Sequence, residues 1–465
     1  MEDLGEKCGV FGIYGKGLDV SRLTFFGLYA LQHRGQESSG ISSTDGNEIY
    51  CHKNNGLVSQ VYNEEVIKNL KGHIAIGHNR YSTSSGKGVE HAQPIEVSDK
   101  SITLVHNGNI PSVVKLLEVL KNKGIILANV SDSKIITELL HCLIKEGKGI
   151  EKAVEEIFPL LVGSFSILIM NKEKIIAIRD SFGIRPLSIA KLNGGYVFSS
   201  ETCAFNPIGA VHIRDVEPGE MVVVDENGLR IKQIMKGIQK LDIFEFVYFS
   251  RPDSTLLGQS VYEVRKRFGI KLAKEYKIDA DVIIPVPETA IPVAIGYSNA
   301  SGIPFEMGLI KSRYIHRTFI EPEQHIREQG VKLKLAPLKK VIENKKIIIV
   351  DDSIVRGTTS KQMVKMLFES GAKEVHFLVS SSPVRYPDFY GIDLPVQKHL
   401  LAAGKSVEEM RDYLGCTSLN FLSFDGMIEA TNIDKDKFCT SCFSGEYPIE
   451  LGERKFDFTP IENIL

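Results

Sequence analysis

The sequence predicts two domains: an α+β domain rich in antiparallel sheet, followed by an α/β domain built on a parallel sheet. Two observations predict this division. Short strand-like runs in the first half are separated by Gly-rich turns, whereas buried strands alternate with helices in the second half. The pattern changes near residue 238. We therefore expect a first domain at 8–237 and a second domain at 238–465.

The elements of the first domain follow from strand and helix periodicity. Its strand-like runs are 9–14, 73–77, 101–105, 164–170, 174–178 and 196–199. Amphipathic stretches near 131–146 and 150–160 predict two helices. The region 230–245 is weakly patterned and carries spaced lysines, so we interpret it as a linker.

The second domain repeats strand, loop and helix. Buried strands are predicted at 281–285, 346–350 and 374–379, and helices begin near 291 and 359. Successive strands joined by helices are parallel and form a doubly wound sheet, with ligands at the carboxyl edge of the strands.

Composition excludes several classes of protein. The chain has 465 residues with 56 Lys+Arg against 58 Asp+Glu, a net charge of −2, which disfavours a general nucleic-acid binder. Its apolar runs are too short for a membrane span, and the acidic start at 1–7 does not resemble a signal peptide. We expect a cytoplasmic protein without a membrane or nucleic-acid partner.

The seven cysteines are scattered and odd in number, so they do not form a disulfide framework. Four of them, at 51, 142, 203 and 416, are interpreted as residues without a chemical role. Cys203 and Cys416 read as small buried hydrophobic residues. The remaining three are Cys8 and the pair Cys439 and Cys442.

Cys8 opens a strand directly after the acidic segment 1–7. A thiol has a reference pKa of about 8.5 and needs a base to become a strong nucleophile. If 1–7 were removed as a propeptide, the new α-amino group, with a pKa of about 7.7–8.0, would supply that base. Taken alone, a cysteine at this position is more often a core residue.

Three polar clusters and one helix start change that interpretation. They are His33–Gly40, Gly77–Thr83, His106–Asn109 and Ser131–Ser133. Together with Cys8 they resemble, in order, the glutaminase domain of the N-terminal-nucleophile amidotransferases over about 8–235. That resemblance implies an αββα sandwich. Without it, Ser131–Ser133 would be a helix cap and Asn107–Gly108 a turn.

The resemblance also implies residue roles. Cys8 attacks the amide carbon of glutamine and forms a thioester. Arg80 binds the substrate α-carboxylate, and Asp132 binds its α-ammonium group. The Asn107 side chain and the Gly108 backbone N–H form the oxyanion hole.

The strongest motif is 347–360, where a buried strand ends in Asp351 and Asp352 and a helix opens after Gly357. Hydroxyl and N–H groups at a helix N-terminus bind phosphate, and paired carboxylates suit a sugar diol or Mg²⁺. A capped helix alone would explain the threonines but not the two acids. The motif resembles the phosphoribosyl pyrophosphate (PRPP) signature of type I phosphoribosyltransferases. The residues that this resemblance assigns to PRPP are Asp351, Asp352, Ser353, Arg356, Gly357, Thr358 and Thr359.

Two further segments complete this site by resemblance. Residues 285–290 resemble the pyrophosphate loop, with Thr289 joining Asp351 and Asp352 around Mg²⁺. The stretch from Lys311 to Leu335 is either a solvated loop or a lid whose Lys311, Arg313 and Arg317 neutralise phosphates and exclude water.

Nearly the whole chain is similar to the amidophosphoribosyltransferase family. That family implies an enzyme that converts glutamine, PRPP and water into 5-phosphoribosylamine, glutamate and pyrophosphate, opening purine synthesis. It also implies Mg²⁺, a homotetramer and feedback inhibition by purine nucleotides. A PRPP sensor without chemistry is disfavoured by the intact glutaminase residues, and a hexosamine-phosphate synthase is disfavoured by 350–359.

The chain departs from the family at one place. Some members bind a [4Fe–4S] cluster through four cysteines, whereas here only Cys439 and Cys442 match, and Asp242 and Asp388 occupy the other two positions. Iron–sulfur clusters favour thiolate ligands, and zinc accepts two cysteines with two carboxylates. We expect no metal, and a cluster and zinc remain the alternatives.

Overall fold

The structure is a computed structural model that describes residues 8–81, 88–127, 130–312, 335–392, 394 and 396–452. Every structural statement below refers to those residues. The expected propeptide 1–7 lies outside them, as do Arg313 and Arg317.

The first domain contains thirteen strands and six α-helices within the described residues. The strands are β1 Gly9–Tyr14, β2 Ser38–Thr44, β3 Ile49–Asn55, β4 Ile74–Arg80, β5 Ile95–Glu96, β6 Thr103–Asn109, β7 Ser164–Met170, β8 Ile175–Arg179, β9 Ser188–Leu192, β10 Gly195–Ser199, β11 Val211–Asp215, β12 Glu220–Asp225 and β13 Gly228–Gln233. The helices are α1 Val20–Ala30, α2 Val58–Val61, α3 Glu64–Asn69, α4 Val114–Asn122, α5 Asp132–Lys145 and α6 Ile150–Ile157.

These strands form two antiparallel sheets that pack face to face. One sheet has the order β11-β9-β10-β1-β4-β2-β3, and the other has the order β13-β12-β8-β7-β6-β5. Apolar side chains from both sheets, among them Val10, Ile76, Val105 and Leu168, form the core between them. Helix α1 covers the outer face of the first sheet, and α4, α5 and α6 cover the second. The predicted αββα sandwich is confirmed.

The second domain is built from ten strands and seven α-helices in the described part of the chain. The strands are β14 Leu241–Asp242, β15 Thr255–Leu256, β16 Gln259–Ser260, β17 Val282–Pro285, β18 Leu309–Lys311, β19 Leu335–Pro337, β20 Lys346–Asp351, β21 Glu374–Val379, β22 Ser418–Phe421 and β23 Phe438–Cys439. The helices are α7 Val261–Glu275, α8 Ile291–Ser301, α9 Lys339–Ile342, α10 Thr358–Glu369, α11 Val407–Leu414, α12 Phe424–Thr431 and α13 Ser441–Ser444.

A parallel sheet of order β17-β20-β21-β22 forms the centre of the second domain, as predicted. Successive residues of β20 point to opposite faces of the sheet. Ile348 and Val350 pack with α7 and α8, whereas Ile347 and Ile349 pack with α10 and α11. Burial on both faces explains the continuous apolar run of this strand.

The expected linker at 230–245 is partly regular structure. Strand β13 continues to Gln233 and pairs with β12, and β14 begins at Leu241. Most of β13 is exposed because it is the outer strand of its sheet, and its side chains therefore lack a strand-like apolar pattern.

Candidate active sites

The first candidate site begins at Cys8, directly before the central strand β1. Gly9 lies opposite Asn79 of β4, and this antiparallel register brings Cys8 beside Arg80. On its other side, Arg80 pairs with Ser38 of β2. The Arg80 side chain is almost wholly buried, with its Nη1 atom 3.8 Å from Glu37 Oε2. Strand β4 thus places Arg80 opposite Cys8 at this end of the sheet.

The second sheet contributes Asn107 and Gly108, at the end of β6. Gly108 has φ +148°, and a Cβ atom there would lie 2.1 Å from the Ser164 carbonyl oxygen, so only glycine fits. The Asn107 Nδ2 group donates to Ser200 Oγ at 3.4 Å, and Ser200 Oγ accepts from the Val10 N–H at 2.9 Å. Ser200 therefore links the Asn107 side chain to the strand that begins after Cys8.

Asp132 is the first residue of α5 and is tied to the same strand end. Its Oδ2 accepts from the Ile110 N–H at 3.1 Å and lies 3.7 Å from His106 Nδ1. The helix cap is the neighbouring Ser131, whose hydroxyl accepts from the Lys134 N–H. Capping therefore explains Ser131, whereas the Asp132 carboxylate ties the helix start to the end of β6 and also accepts from the Ser133 N–H at 2.6 Å.

His78 lies in the core beneath these groups. Its Nε2 is 3.1 Å from the His106 carbonyl oxygen, a contact that requires the hydrogen on Nε2. Burial lowers the pKa of His78 to about 3. The imidazole is therefore neutral near pH 7 and supports the strand ends without adding charge.

The second candidate site lies at the carboxyl edge of the parallel sheet. Pro285 of β17 is in register with Val350 of β20, so the loop at 286–290 runs beside Asp351 and Asp352. Both carboxyl groups are buried, and Ser353 Oγ donates to Asp352 Oδ1 at 2.7 Å. Burial, together with the neighbouring Asp352, raises the pKa of Asp351 above its usual value.

The loop at 353–357 leads into α10. Gly357 occupies the N-cap position with φ +77°, and a Cβ atom there would lie 2.6 Å from Leu401 Cδ2. The side chains of Arg356 and Thr358 are exposed, whereas Thr359 is buried. Backbone N–H groups of a helix start, with nearby hydroxyls and a guanidinium, suit a phosphate group.

The acidic edge fits Mg²⁺. Two adjacent buried carboxyls repel each other when both are ionised, and a divalent cation would relieve that repulsion. Mg²⁺ prefers oxygen ligands and usually uses one or two carboxylates together with substrate phosphates and water. The Thr289 hydroxyl belongs to the loop beside them and is chemically suited to the same ion.

The base of the predicted lid is a two-stranded ribbon. Lys311 ends β18, is exposed and pairs with Leu335 of β19. The segment at 313–334, with Arg313, lies outside the described residues.

Asp242, Asp388, Cys439 and Cys442 are all buried; Asp242 lies opposite Cys439, and Asp388 accepts from Ser441 between the two cysteines. Burial and the neighbouring carboxyls raise the pKa values of both thiols. Within the described residues, no three His, Cys, Asp or Glu side chains are arranged to hold a metal ion.

Sequence reasoning gave no role to the residues that join the two sites. Arg34 Nε donates to the Cys8 carbonyl oxygen at 3.1 Å, and its Nη1 donates to Glu201 at 2.6 Å and to Glu245 at 2.9 Å. Glu201 and Glu245 are far from Arg34 in the sequence and show no local pattern. A polar residue within an apolar segment, such as Glu245 in 243–249, is the one signal that could have indicated a buried partner.

The fold and the two sites define a glutamine amidotransferase joined to a phosphoribosyltransferase. Residues 78–207 match the family of glutamine amidotransferase domains, and residues 258–385 match the family of phosphoribosyl transferase domains. In the part of the chain that the structure describes, no helix is long and apolar enough to cross a membrane.

Similar proteins identify the family. The chain is 46% identical to the amidophosphoribosyltransferase of Synechococcus elongatus, covering 96% of this chain and 92% of that one. It is 42% identical to the enzyme of Methanocaldococcus jannaschii, covering 96% and 99%. The solved glutamine PRPP amidotransferase of Bacillus subtilis, complexed with ADP and GMP, superposes with a TM-score of 0.89 at 42% identity, covering 96% and 98%. The chain belongs to the amidophosphoribosyltransferase family, and the predicted class of enzyme is confirmed.

Proposed function

We propose that this chain converts glutamine, PRPP and water into 5-phosphoribosylamine, glutamate and pyrophosphate, the first committed step of purine synthesis. Glutamine is hydrolysed in the first domain, at 8–237, and its ammonia is used in the second, at 238–465. One observation supports this division of labour above the others: separate strands bring Cys8, Arg80 and Asn107 to one end of the sandwich, and the start of α5 brings Asp132 there.

In the first domain, the Cys8 thiolate attacks the amide carbon of glutamine. The new oxyanion accepts hydrogen bonds from the Asn107 side chain and the Gly108 N–H, a stabilisation of about 2.7–4 kcal/mol for one such donor. Ammonia leaves, and water then hydrolyses the thioester to glutamate. Arg80 and Asp132 bind the two charged ends of the substrate and align its amide with the thiolate.

Removal of residues 1–7 is part of this proposal. The α-amino group of Cys8 would then take the thiol proton through one water and return it to the leaving ammonia. Arg34 fixes the backbone there, because its Nε donates to the Cys8 carbonyl oxygen. An anchored carbonyl keeps the amine and the thiol in one orientation.

In the second domain, ammonia displaces pyrophosphate from C1 of the ribose. Asp351 and Asp352 bind the ribose hydroxyls, and Ser353, Arg356, Gly357, Thr358 and Thr359 surround the 5′-phosphate. Asp351, Asp352 and Thr289 would hold Mg²⁺, which neutralises charge on the leaving pyrophosphate when bound. Lys311, with Arg313 outside the described residues, adds positive charge as the lid closes.

The relatives also suggest how the enzyme is controlled. The Bacillus subtilis structure is a complex with ADP and GMP. We propose further that purine nucleotides inhibit this enzyme by feedback and that it acts as a homotetramer in the cytoplasm.

A pyrophosphate-release assay tests the function. We expect release that requires glutamine, PRPP and Mg²⁺ together, with one glutamate formed for each pyrophosphate. PRPP binding without pyrophosphate release in the presence of glutamine would contradict the proposal and favour a PRPP sensor.

A further inference from the structure

Four buried residues lie where some family members hold an iron–sulfur cluster. We call Asp242, Asp388, Cys439 and Cys442 the junction cluster. Strand β14 pairs in parallel with β23, and Asp242 lies opposite Cys439 in that pairing. The cluster therefore joins the start of the second domain to its C-terminal segment. In this chain, two carboxyls and two thiols occupy the contact between these two segments.

The Asp388 carboxyl is already occupied by protein hydrogen bonds. Its Oδ1 accepts from the N–H groups of Tyr390 and Ile392, at 2.8 and 3.1 Å. Its Oδ2 accepts from the Ser441 hydroxyl at 3.2 Å. These bonds hold the loop after residue 388 closed and direct both lone pairs of Oδ1 away from a metal.

The Asp242 carboxyl faces a guanidinium group from the other domain. Its Oδ1 accepts from the Phe244 N–H at 2.9 Å, and its Oδ2 lies 3.5 Å from Arg185 Nη1. Arg185 also donates from Nε to the Tyr390 carbonyl oxygen at 2.9 Å and from Nη1 to Glu245 at 3.3 Å. A positive charge therefore already lies beside the carboxyls, where it repels a metal cation.

Among the described residues, neither Asp242 Oδ2 nor Arg185 Nη2 has a hydrogen-bond partner, although both atoms are buried. Asp242 Oδ2 lies 3.5 Å from Arg185 Nη1, so the guanidinium balances its charge without a hydrogen bond. Four-iron clusters, in contrast, take thiolate ligands, and the two carboxyls are hard oxygen donors. The junction cluster does not fit an iron–sulfur cluster.

We propose that this chain binds no iron–sulfur cluster or zinc at the junction cluster, and that Arg185 supplies the positive charge there. Arg185 belongs to the first domain, in the loop between β8 and β9, whereas both carboxyls belong to the second. The guanidinium group thus joins the domains by direct hydrogen bonds and ion pairing. The junction should then be insensitive to oxygen and to iron chelators.

Metal analysis of the full chain is the first test. Protein produced with ample iron and purified without oxygen should contain far less than one iron, sulfide or zinc per chain. Its unfolding temperature should not change after exposure to air or to an iron chelator. About four irons and four sulfides per chain, or about one zinc that is lost in Cys439→Ser, would overturn the proposal.

A double-mutant cycle is the second test and does not depend on metal content. Arg185→Met and Asp242→Asn should each destabilise the protein. The double variant should change the unfolding equilibrium constant by about tenfold less than the product of the two single changes. Arg214→Met is the matched control, because Arg214 pairs with Glu220 on β11 and β12 instead. Arg214→Met and Asp242→Asn should be additive. Full additivity of the Arg185 pair would contradict the assigned role of Arg185.

Discussion

Arg34 of the first domain and Glu245 of the second form a doubly hydrogen-bonded ion pair in which both side chains are wholly buried. The two distances are 2.7 Å from Nη2 to Oε1 and 2.9 Å from Nη1 to Oε2. Arg34 also contacts the Cys8 carbonyl oxygen, and the Ser250 hydroxyl donates to Glu245 Oε2 at 2.6 Å. The backbone of the proposed nucleophile is thus held by a residue that the other domain orients.

The first prediction concerns this pair. Glu245→Gln removes one partner of a buried ion pair and should lower the free energy of unfolding by about 3 kcal/mol. It should also reduce glutamine-dependent activity more than ammonia-dependent activity, because Arg34, then held only by Glu201, positions the Cys8 backbone less firmly. Denaturant unfolding and assays with both nitrogen sources provide the measurements.

The control for Glu245→Gln is another doubly hydrogen-bonded pair, Arg22 and Glu64, which is exposed. Glu64→Gln should leave stability and both activities unchanged, because exposed pairs contribute little. Equal effects of the two substitutions would show that burial at the domain junction is unimportant.

The second prediction concerns Gly108. Gly108→Ala places a methyl group 2.1 Å from the Ser164 carbonyl oxygen, so the end of β6 must move and the oxyanion donors with it. We expect a loss in glutamine-dependent kcat of about 10²-fold or more, with ammonia-dependent activity retained. Gly124→Ala is the control, since Gly124 also has positive φ but no atom within 4 Å of an added Cβ. Comparable activity losses in both variants would contradict the steric argument.

The third prediction concerns pH and His78. Burial lowers the pKa of His78 to about 3, whereas in the unfolded chain it is about 6.5. Below pH 6.5 the unfolded chain takes up a proton that the folded chain does not. The free energy of unfolding therefore decreases as the pH is lowered. Between pH 6.5 and 5 this loss is about 1.5–2 kcal/mol, and His78→Asn should remove it.

Unfolding curves at several pH values measure this effect. His399→Asn, at an exposed histidine, should keep the pH dependence of the unchanged protein. A His78→Asn variant with the same slope as the unchanged chain would show that His78 is not a neutral buried group.

The fourth prediction concerns Asp352. Asp352→Asn removes a carboxylate that would hold Mg²⁺ and a ribose hydroxyl, so PRPP-dependent kcat/KM should fall about 10²-fold with either nitrogen source. The Mg²⁺ concentration required for half-maximal rate should rise. Asp412→Asn, at an exposed ion pair, is the control. A defect seen with glutamine but absent with ammonia would place Asp352 outside the phosphoribosyl site.

The sequence predicted the parallel sheet well because strands buried on both faces are continuous apolar runs, as in 346–350. The serine-rich β2, Ser38–Thr44, was missed because its polar side chains carry no such pattern, although all seven residues are buried. Strand β4 was predicted to end at Gly77 but continues to Arg80, since β1 and β2 pair with it on both sides.

Residues with a local motif, such as Asp351 and Asp352, could be proposed as site residues from the sequence. The contacts that Arg34 and Arg185 make with the second domain could not be proposed, because each joins groups more than fifty residues apart. Such pairings depend on how the domains pack, which spacing within the sequence does not encode.

The activity of Cys8→Ala with each nitrogen source, glutamine or free ammonia, tests the two-site account most directly. Pyrophosphate release from PRPP should fall to background with glutamine and remain near that of the unchanged enzyme with free ammonia. Loss of both activities in a folded variant, or retention of glutamine-dependent release, would contradict the account.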